Sequence, residues 1–222
     1  MAIDRAEIYY KNYSNYRENY ADKQINLDDK RMYLALKRFV DIMISAVACV
    51  VALPIILLAV IAIRLESKGN PFFIQERSGL NGKKFKIMKL RSMRVDAEKN
   101  GPQWAQKNDT RVTQVGKFIR KTRIDELPQL YNVLKGDMSI FGPRPERPMF
   151  VEQFNKEIPG FEKRLLVKPG LTGWAQVNGG YDITPEEKLK LDLYYIENMS
   201  PSLDTKIILK TLKVLLTGEG AR

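Results

Sequence analysis

The segment Arg120-Lys-Thr-Arg-Ile-Asp-Glu-Leu-Pro128 sets two adjacent carboxylates, Asp125 and Glu126, beside three cations. A carboxylate in so basic a setting can act as a nucleophile or hold a hard metal ion, because the surrounding positive charge lets an anionic substrate approach. A structural role fits the same residues: Asp125 caps a helix whose first turn includes Pro128, and Arg120 and Arg123 pair with it. Gly142-Pro-Arg-Pro-Glu-Arg-Pro148 is a second candidate, a stiff loop whose prolines hold Arg144 and Arg147 at set angles. Pre-ordered guanidinium groups suit a phosphate or diphosphate, which they bind in bidentate fashion; a rigid connector would have the same composition. Lys168-Pro-Gly-Leu-Thr-Gly-Trp-Ala-Gln-Val-Asn-Gly-Gly180 reads as one glycine-rich loop that a nucleotide could approach, with neither P-loop nor Rossmann spacing.

Composition narrows the chemistry. The chain has 222 residues and no histidine, which excludes Ser-His-Asp and Cys-His hydrolases, imidazole bases and His-ligated zinc or haem. The single cysteine, Cys49, lies in an apolar run, so it reads as a small apolar side chain and not a thiolate nucleophile. With 37 Lys and Arg against 26 Asp and Glu, the net charge of +11 suits an anionic partner: nucleic acid, a phosphorylated metabolite or an anionic membrane leaflet.

These residues need elements to position them. From Ile42 to Ile63 about 22 residues carry no charge, long enough to cross a bilayer. Pro54 divides the run into arms of roughly 12 and 9 residues, about 18 and 14 Å as helix, against a hydrocarbon core of about 30 Å. Both flanks are basic, Lys30, Arg31, Lys37 and Arg38 before and Arg64 and Lys68 after. A bent re-entrant hairpin keeps both flanks on the cytoplasmic side; a Pro-kinked straight span fits the length equally. Upstream, residues 1–36 form a polar extension in which Tyr9, Tyr13, Tyr16 and Tyr20 would share one helical face, or belong to a disordered tail.

Downstream, Pro71–Glu76 and Phe85–Leu90 alternate as strands around Ser78-Gly-Leu-Asn-Gly82, predicting a β-hairpin. Thr113–Lys135 reads as helix broken near Asp125, and Pro148–Ile158 and Pro185–Asn198 as helices opening on proline. Leu203, Ile207, Ile208, Leu212, Leu215 and Leu216 form an apolar stripe that suits either a membrane interface or the core.

Taken in order, Lys37-Arg-Phe-Val-Asp41, Phe85-Lys-Ile-Met-Lys-Leu-Arg-Ser-Met93, Ile124-Asp-Glu-Leu-Pro-Gln-Leu130, Asn132-Val-Leu-Lys-Gly-Asp-Met-Ser139, Gly142-Pro-Arg-Pro145, Pro169-Gly-Leu-Thr-Gly-Trp-Ala-Gln-Val-Asn-Gly179 and Leu191-Asp192 resemble the monotopic phosphoglycosyl transferases, the bacterial sugar transferase family. The resemblance covers residues 37 to 216. It implies a mostly helical α+β enzyme with three parts: the extension 1–36, a re-entrant membrane helix over 37–66, and a cytoplasmic catalytic domain over 67–222 with interfacial amphipathic helices. It further implies that Asp125 is the nucleophile and Glu126 its partner. Lys89, Arg144 and Asp192 fall at active-site positions, Arg91 and Arg120 complete the substrate-binding set, and Asp125 lies near a Mg2+ ion. Two departures stand out: Leu53-Pro54 replaces the Ser-Pro of many members, and Gly180 stands where some have arginine.

The implied reaction takes a sugar 1-phosphate from a UDP-sugar to undecaprenyl phosphate at the cytoplasmic face of the inner membrane and releases UMP, the first membrane step of surface polysaccharide synthesis. Its partners are membrane lipid, a second copy of the chain or downstream glycosyltransferases, and not nucleic acid. The acceptor phosphate is already ionised near neutral pH and needs no base, so the reaction is compatible with a chain lacking histidine. Two other readings remain at this point, a membrane-tethered nucleic-acid-binding protein and a non-catalytic scaffold for polysaccharide assembly.

Overall fold

In a computed structural model, residues 20, 22, 24–99, 101, 109–179 and 183–217 are described. Helix α1, Arg31–Glu66, is followed by the antiparallel strands β1, Phe72–Ser78, and β2, Lys84–Leu90. Then come α2, Gln114–Lys121, a single 3-10 turn at Ile124–Glu126, and α3, Gln129–Lys135. Strand β3, Ser139–Phe141, precedes α4, Pro148–Glu157; strand β4, Gly170–Thr172, runs parallel to β3. Three helices close the described chain: α5, Trp174–Gly179, α6, Pro185–Asn198, and α7, Pro201–Thr217. The architecture is mostly helical with two small sheets, as the α+β reading expected.

The hairpin forms where alternation placed it, Phe72 opposite Leu90 and Ser78 opposite Lys84, with Asn81 and Gly82 both at positive φ in the turn. Helix α6 opens on a capping box: the Thr184 hydroxyl accepts from the Glu187 amide, and the Glu187 carboxylate accepts from the Thr184 amide. The break near Asp125 is real, since α2 ends before the turn and α3 begins after Pro128. The glycine-rich stretch corrects its reading as one loop, because it contains β4 and α5. Gly142 and Gly170 permit this: a Cβ on Gly142 would stand 2.5 Å from the Lys168 carbonyl oxygen and 3.0 Å from the Gly170 nitrogen. The two backbones meet only because neither carries a side chain.

Helix α1 is a single helical element through Pro54, long and apolar enough to cross a bilayer. It buries a narrow face of Lys37, Asp41, Ser45, Ala52, Ala59 and Ile63, while Val47, Val50, Leu57 and Leu58 are among its exposed apolar residues. Both ends are wired to the same body. Near the start, Arg38 donates to the Val133 and Leu134 carbonyls at 2.6 and 2.9 Å, and the Asp41 carboxylate accepts from the Ile140 amide at 3.0 Å. At the far end, the Glu66 carboxylate accepts from the Gln114 amide at 2.7 Å and so caps α2. Of the C-terminal stripe, Leu203 and Ile207 are buried in the core, whereas Ile208 and Leu212 are exposed. The side chains of Leu215 and Leu216 lie outside the described residues, as do Tyr9, Tyr13 and Tyr16 of the tyrosine face.

The close approach of Gly142 to β4 generates a stability test. Gly142→Ala forces backbone to move and is expected to cost about 2 kcal/mol, which lowers Tm by about 4–8 °C in a chain of this size. An unchanged Tm in a thermal melt of the detergent-solubilised chain would show that β3 and β4 are not packed this closely.

Candidate active site

The hairpin, the Ile124–Glu126 turn and the proline loop converge on a cavity of about 470 Å3. Nine Arg or Lys residues and four carboxylates line it, so its field is strongly positive. Lys89, Arg91, Arg120, Asp125, Glu126 and Arg144 are all in the lining. An apolar cluster of Ala59 and Ile63 from α1 with Leu90 and Ile119 sits beneath, and Ile124 packs against it. Leu90 neighbours Lys89 and Ile124 neighbours Asp125, so α1 itself underpins the two side chains.

Glu126 takes the cations. Its Oε1 accepts from Lys89 Nζ at 2.9 Å and from Arg144 Nη2. Burial alone would raise this carboxyl, but Arg144 and Lys89 reverse the effect and hold it well below its ordinary value. Asp125 has no carboxylate–cation pair within 4 Å among the described residues, though it is only 8% exposed. Burial first, and the neighbouring Glu126 charge second, push Asp125 up to about 6 against the pull of Lys89, Arg120 and Arg144. Helix capping by Asp125 is not what the geometry shows, since the N-cap of α3 is Pro128 and no side chain caps that helix. Arg123, just before the turn, adopts φ 59° and ψ 13°, a left-handed conformation costly for a residue with a Cβ.

The proline loop is stiff for more reasons than its prolines. The carbonyls of Pro143, Arg144, Pro145 and Glu146 accept in turn from the Gly170 amide at 2.9 Å, Arg164 Nη2 at 2.9 Å, Arg77 Nη1 at 3.1 Å and the Ser78 amide at 2.9 Å. Below it, Arg164 is 1% exposed and donates from Nε and Nη2 to Asp192 Oδ2 at 3.0 and 2.6 Å. The Glu146 carboxylate lies 3.8 Å from both Arg77 and Arg164 and pairs with Lys188.

Asp192 is therefore placed away from the cavity lining, fully buried on α6, where it positions Arg144 through Arg164. Arg91 and Arg120 reach the cavity wall, but Arg91 donates to the Ser67 carbonyl and hydroxyl, both at 2.8 Å, and Arg120 Nε donates to Ser92 Oγ at 2.7 Å. Sequence reasoning missed Arg77, Glu146, Arg164 and Lys188. Glu146 stood between the two arginines already singled out, and its charge amid prolines was the available signal; Arg164 and Lys188 sit in segments with no distinguishing pattern.

The raised Asp125 value carries a stability consequence with a definite sign. A carboxyl whose folded value is higher than its unfolded one destabilises the fold once ionised, so stability falls as pH rises from about 4 through about 6. Asp125→Asn removes that charge at nearly constant volume and is expected to raise Tm at pH 8 while changing it little at pH 4. A lower Tm than wild type at pH 8 would contradict the placement of Asp125 as a buried, incompletely compensated charge.

The bacterial sugar transferase family model matches residues 32–218 of the chain. The Aeromonas hydrophila UDP-N-acetylgalactosamine-undecaprenyl-phosphate N-acetylgalactosaminephosphotransferase is 49% identical over 193 residues, covering 86% of this chain and 46% of the relative. The UDP-glucose:undecaprenyl-phosphate glucose-1-phosphate transferase of Caulobacter vibrioides is 43% identical over 190 residues, covering 83% of this chain and 71% of the relative. The chain thus spans about half the length of the first relative and about two thirds to three quarters of the second. A match running from the start of α1 to the end of α7 takes in the cavity, the proline loop and the apolar helix together, and the chain belongs to the bacterial sugar transferase family.

Proposed function

We propose that the chain transfers a sugar 1-phosphate from a UDP-sugar to undecaprenyl phosphate, releasing UMP, through a covalent intermediate on Asp125. The observation that carries this reading is the division between two adjacent carboxylates: Glu126 is neutralised by Lys89 and Arg144, while Asp125 faces a cationic cavity without a direct partner of its own.

A carboxylate oxygen of Asp125 attacks the phosphorus that bears the sugar, and the bridging P–O bond breaks with its electron pair leaving on UMP. The product is a sugar-phosphoryl aspartate, an acyl phosphate that keeps the transfer potential of the original anhydride. An oxygen of the lipid phosphate then attacks the same phosphorus and expels the Asp125 carboxylate. No proton need move in either step. Arg144 is held in place from beneath and, with Lys89, supplies positive charge to the phosphoryl oxygens as it supplies it to Glu126.

Mg2+ belongs to the same reading, as an ion that substrate phosphates would help to hold. The described residues contain no group of three or more His, Cys, Asp or Glu able to hold a metal alone, and Asp125 is one carboxylate that leaves the other ligand positions to phosphate oxygens and water. Mg2+ held by Asp125 would neutralise diphosphate charge and orient the phosphorus.

Incubating the full chain with a UDP-sugar labelled at the β-phosphate, without lipid, is expected to leave label on the protein in a form released by hydroxylamine. UDP-N-acetylgalactosamine and UDP-glucose are the first donors to use. Asp125→Asn should hold no label and release less than about 1% of wild-type UMP; substantial UMP release by that variant would move the nucleophile elsewhere, whereas neither label nor UMP release with the wild-type chain would leave the scaffold reading standing.

Topology belongs to the same reading: a monotopic enzyme at the cytoplasmic face of the inner membrane. It is supported by the bonds that tie both ends of α1 to one polar body, which cannot lie on two sides of a bilayer. Lys37 is too buried to label, so the test uses Ala35→Cys and Lys68→Cys, both exposed, in a Cys49→Ser background. Both are expected to react only from the cytoplasm, and labelling from opposite sides would establish a straight span.

A further inference from the structure

A second cavity, of about 170 Å3, shares no lining residue with the first. Its wall carries three cations, Lys37, Arg38 and Lys168, against one carboxylate, Asp41. Lys37 stands 3.6 Å from Asp41, so those two charges offset each other. Arg38 is spent on the carbonyls of Val133 and Leu134, which carry only partial charge, and has no carboxylate within 4 Å among the described residues. Lys168 forms no hydrogen bond or ion pair among the described residues.

These two heads, neither paired with a carboxylate within 4 Å among the described residues, converge. A Cβ on Gly136 would stand 3.4 Å from Arg38 Nη2 and 3.6 Å from Lys168 Nζ, so these nitrogens lie no more than about 7 Å apart. Burial and the Arg38 charge beside it push the Lys168 ammonium below its ordinary value, against the pull of Asp41 and Asp137. Two like charges brought together in a half-buried wall repel, and an anion between them removes that cost.

The position of the cavity says which anion. On the same turns of α1, Leu36, Phe39 and Val40 are exposed beside Lys37 and Arg38, and the charge-free apolar run begins at Ile42. Leu34 and Leu80 add apolar wall. The cation pair therefore stands at the level where polar surface gives way to a lipid-facing helix, which is where a headgroup phosphate lies in a bilayer.

We propose that this cavity binds the phosphate of a membrane lipid headgroup, with Arg38 and Lys168 taking the anion and Leu34 and Leu80 lying against the acylglycerol portion. The site is separate from the transferase cavity and does not depend on the reading of that cavity. It fixes the entry of α1 at the interface by ligand binding, in addition to the bonds within the chain.

The test uses the full chain in neutral detergent and reads Kd from ligand-dependent Tm, with three probes: dihexanoylphosphatidylglycerol, inorganic phosphate and dihexanoylglycerol. Phosphatidylglycerol is expected to bind at least about tenfold more tightly than either of the others, because only it has both the anion and the acyl chains. Lys168→Gln should weaken it about fivefold or more, and Lys168→Arg should restore it to within about twofold, since a cation and not an ammonium as such is required. The Lys168 ammonium makes no hydrogen bond or ion pair within 4 Å among the described residues, so neither variant removes one, and Lys168→Gln gives up only the longer-range pull of Asp41 and Asp137. Equal affinity in Lys168→Gln and wild type would overturn the proposal. So would equal binding of dihexanoylglycerol, which would make the site apolar only, or of inorganic phosphate, which would make free phosphate its ligand. None of these measurements involves turnover, so the transferase reading can fail without affecting them.

Discussion

Glu126 accepts from Lys89 on β2 and from Arg144 in the proline loop at once, and this buried contact is where the hairpin, the Ile124–Glu126 turn and the loop become one object. Taking a carboxylate, an ammonium and a guanidinium partly out of water is expensive, and losing any one would strand the others. The contact also decides what its neighbour can do. Two adjacent carboxylates cannot both claim the same cations; because Glu126 holds them, Asp125 is left charged only at the cost of burial and of a like charge next to it. A carboxylate so placed is more basic than an exposed one and faces a positively charged cavity, the combination that a nucleophile toward an anionic phosphorus needs.

The proline loop shows why buried charge can be preferable to apolar packing. A segment without helix or strand has no ladder to fix its carbonyls, and four successive ones here find donors on three separate elements. Two of those donors are guanidinium groups, each held by a carboxylate in turn: Arg164 by Asp192, Arg77 at longer range by Glu146. Leucines of the same volume would fill the space but could not set the direction of Arg144.

Local elements were legible in the sequence because their causes are local. Alternation gave the hairpin its strands, prolines opened α4 and α6, and the Asp125 break followed from Pro128. The carboxylate pair and Arg144 were legible as charges in a fixed setting. What was not legible depends on contacts far apart in the chain. The glycine-rich stretch looked like a loop because nothing local says that Gly170 must pass against Gly142. Asp192 reads as a site residue by resemblance alone, and its bond to Arg164, a residue no local pattern marks, is not legible.

Helix α1 connects these levels. Its small buried residue Ala59 lets the helix come close, and Ile63 then meets Leu90 and Ile119, with Ile124 against the same cluster. Leu90 and Ile124 each adjoin a side chain of the site, so the height of Lys89 and Asp125 above the helix is set by apolar packing and not by flexible linkers. Charged side chains then secure the two ends, Arg38 and Asp41 at one and Glu66 at the other. Displacing α1 would therefore disturb the cavity floor and, through Tyr33 and Leu34, the edge of the main core, which is built chiefly from β3, α4, α6 and α7. A helix with an apolar outer face and an inner face that carries the floor of the site couples the position of the chain against lipid to the geometry of its carboxylates.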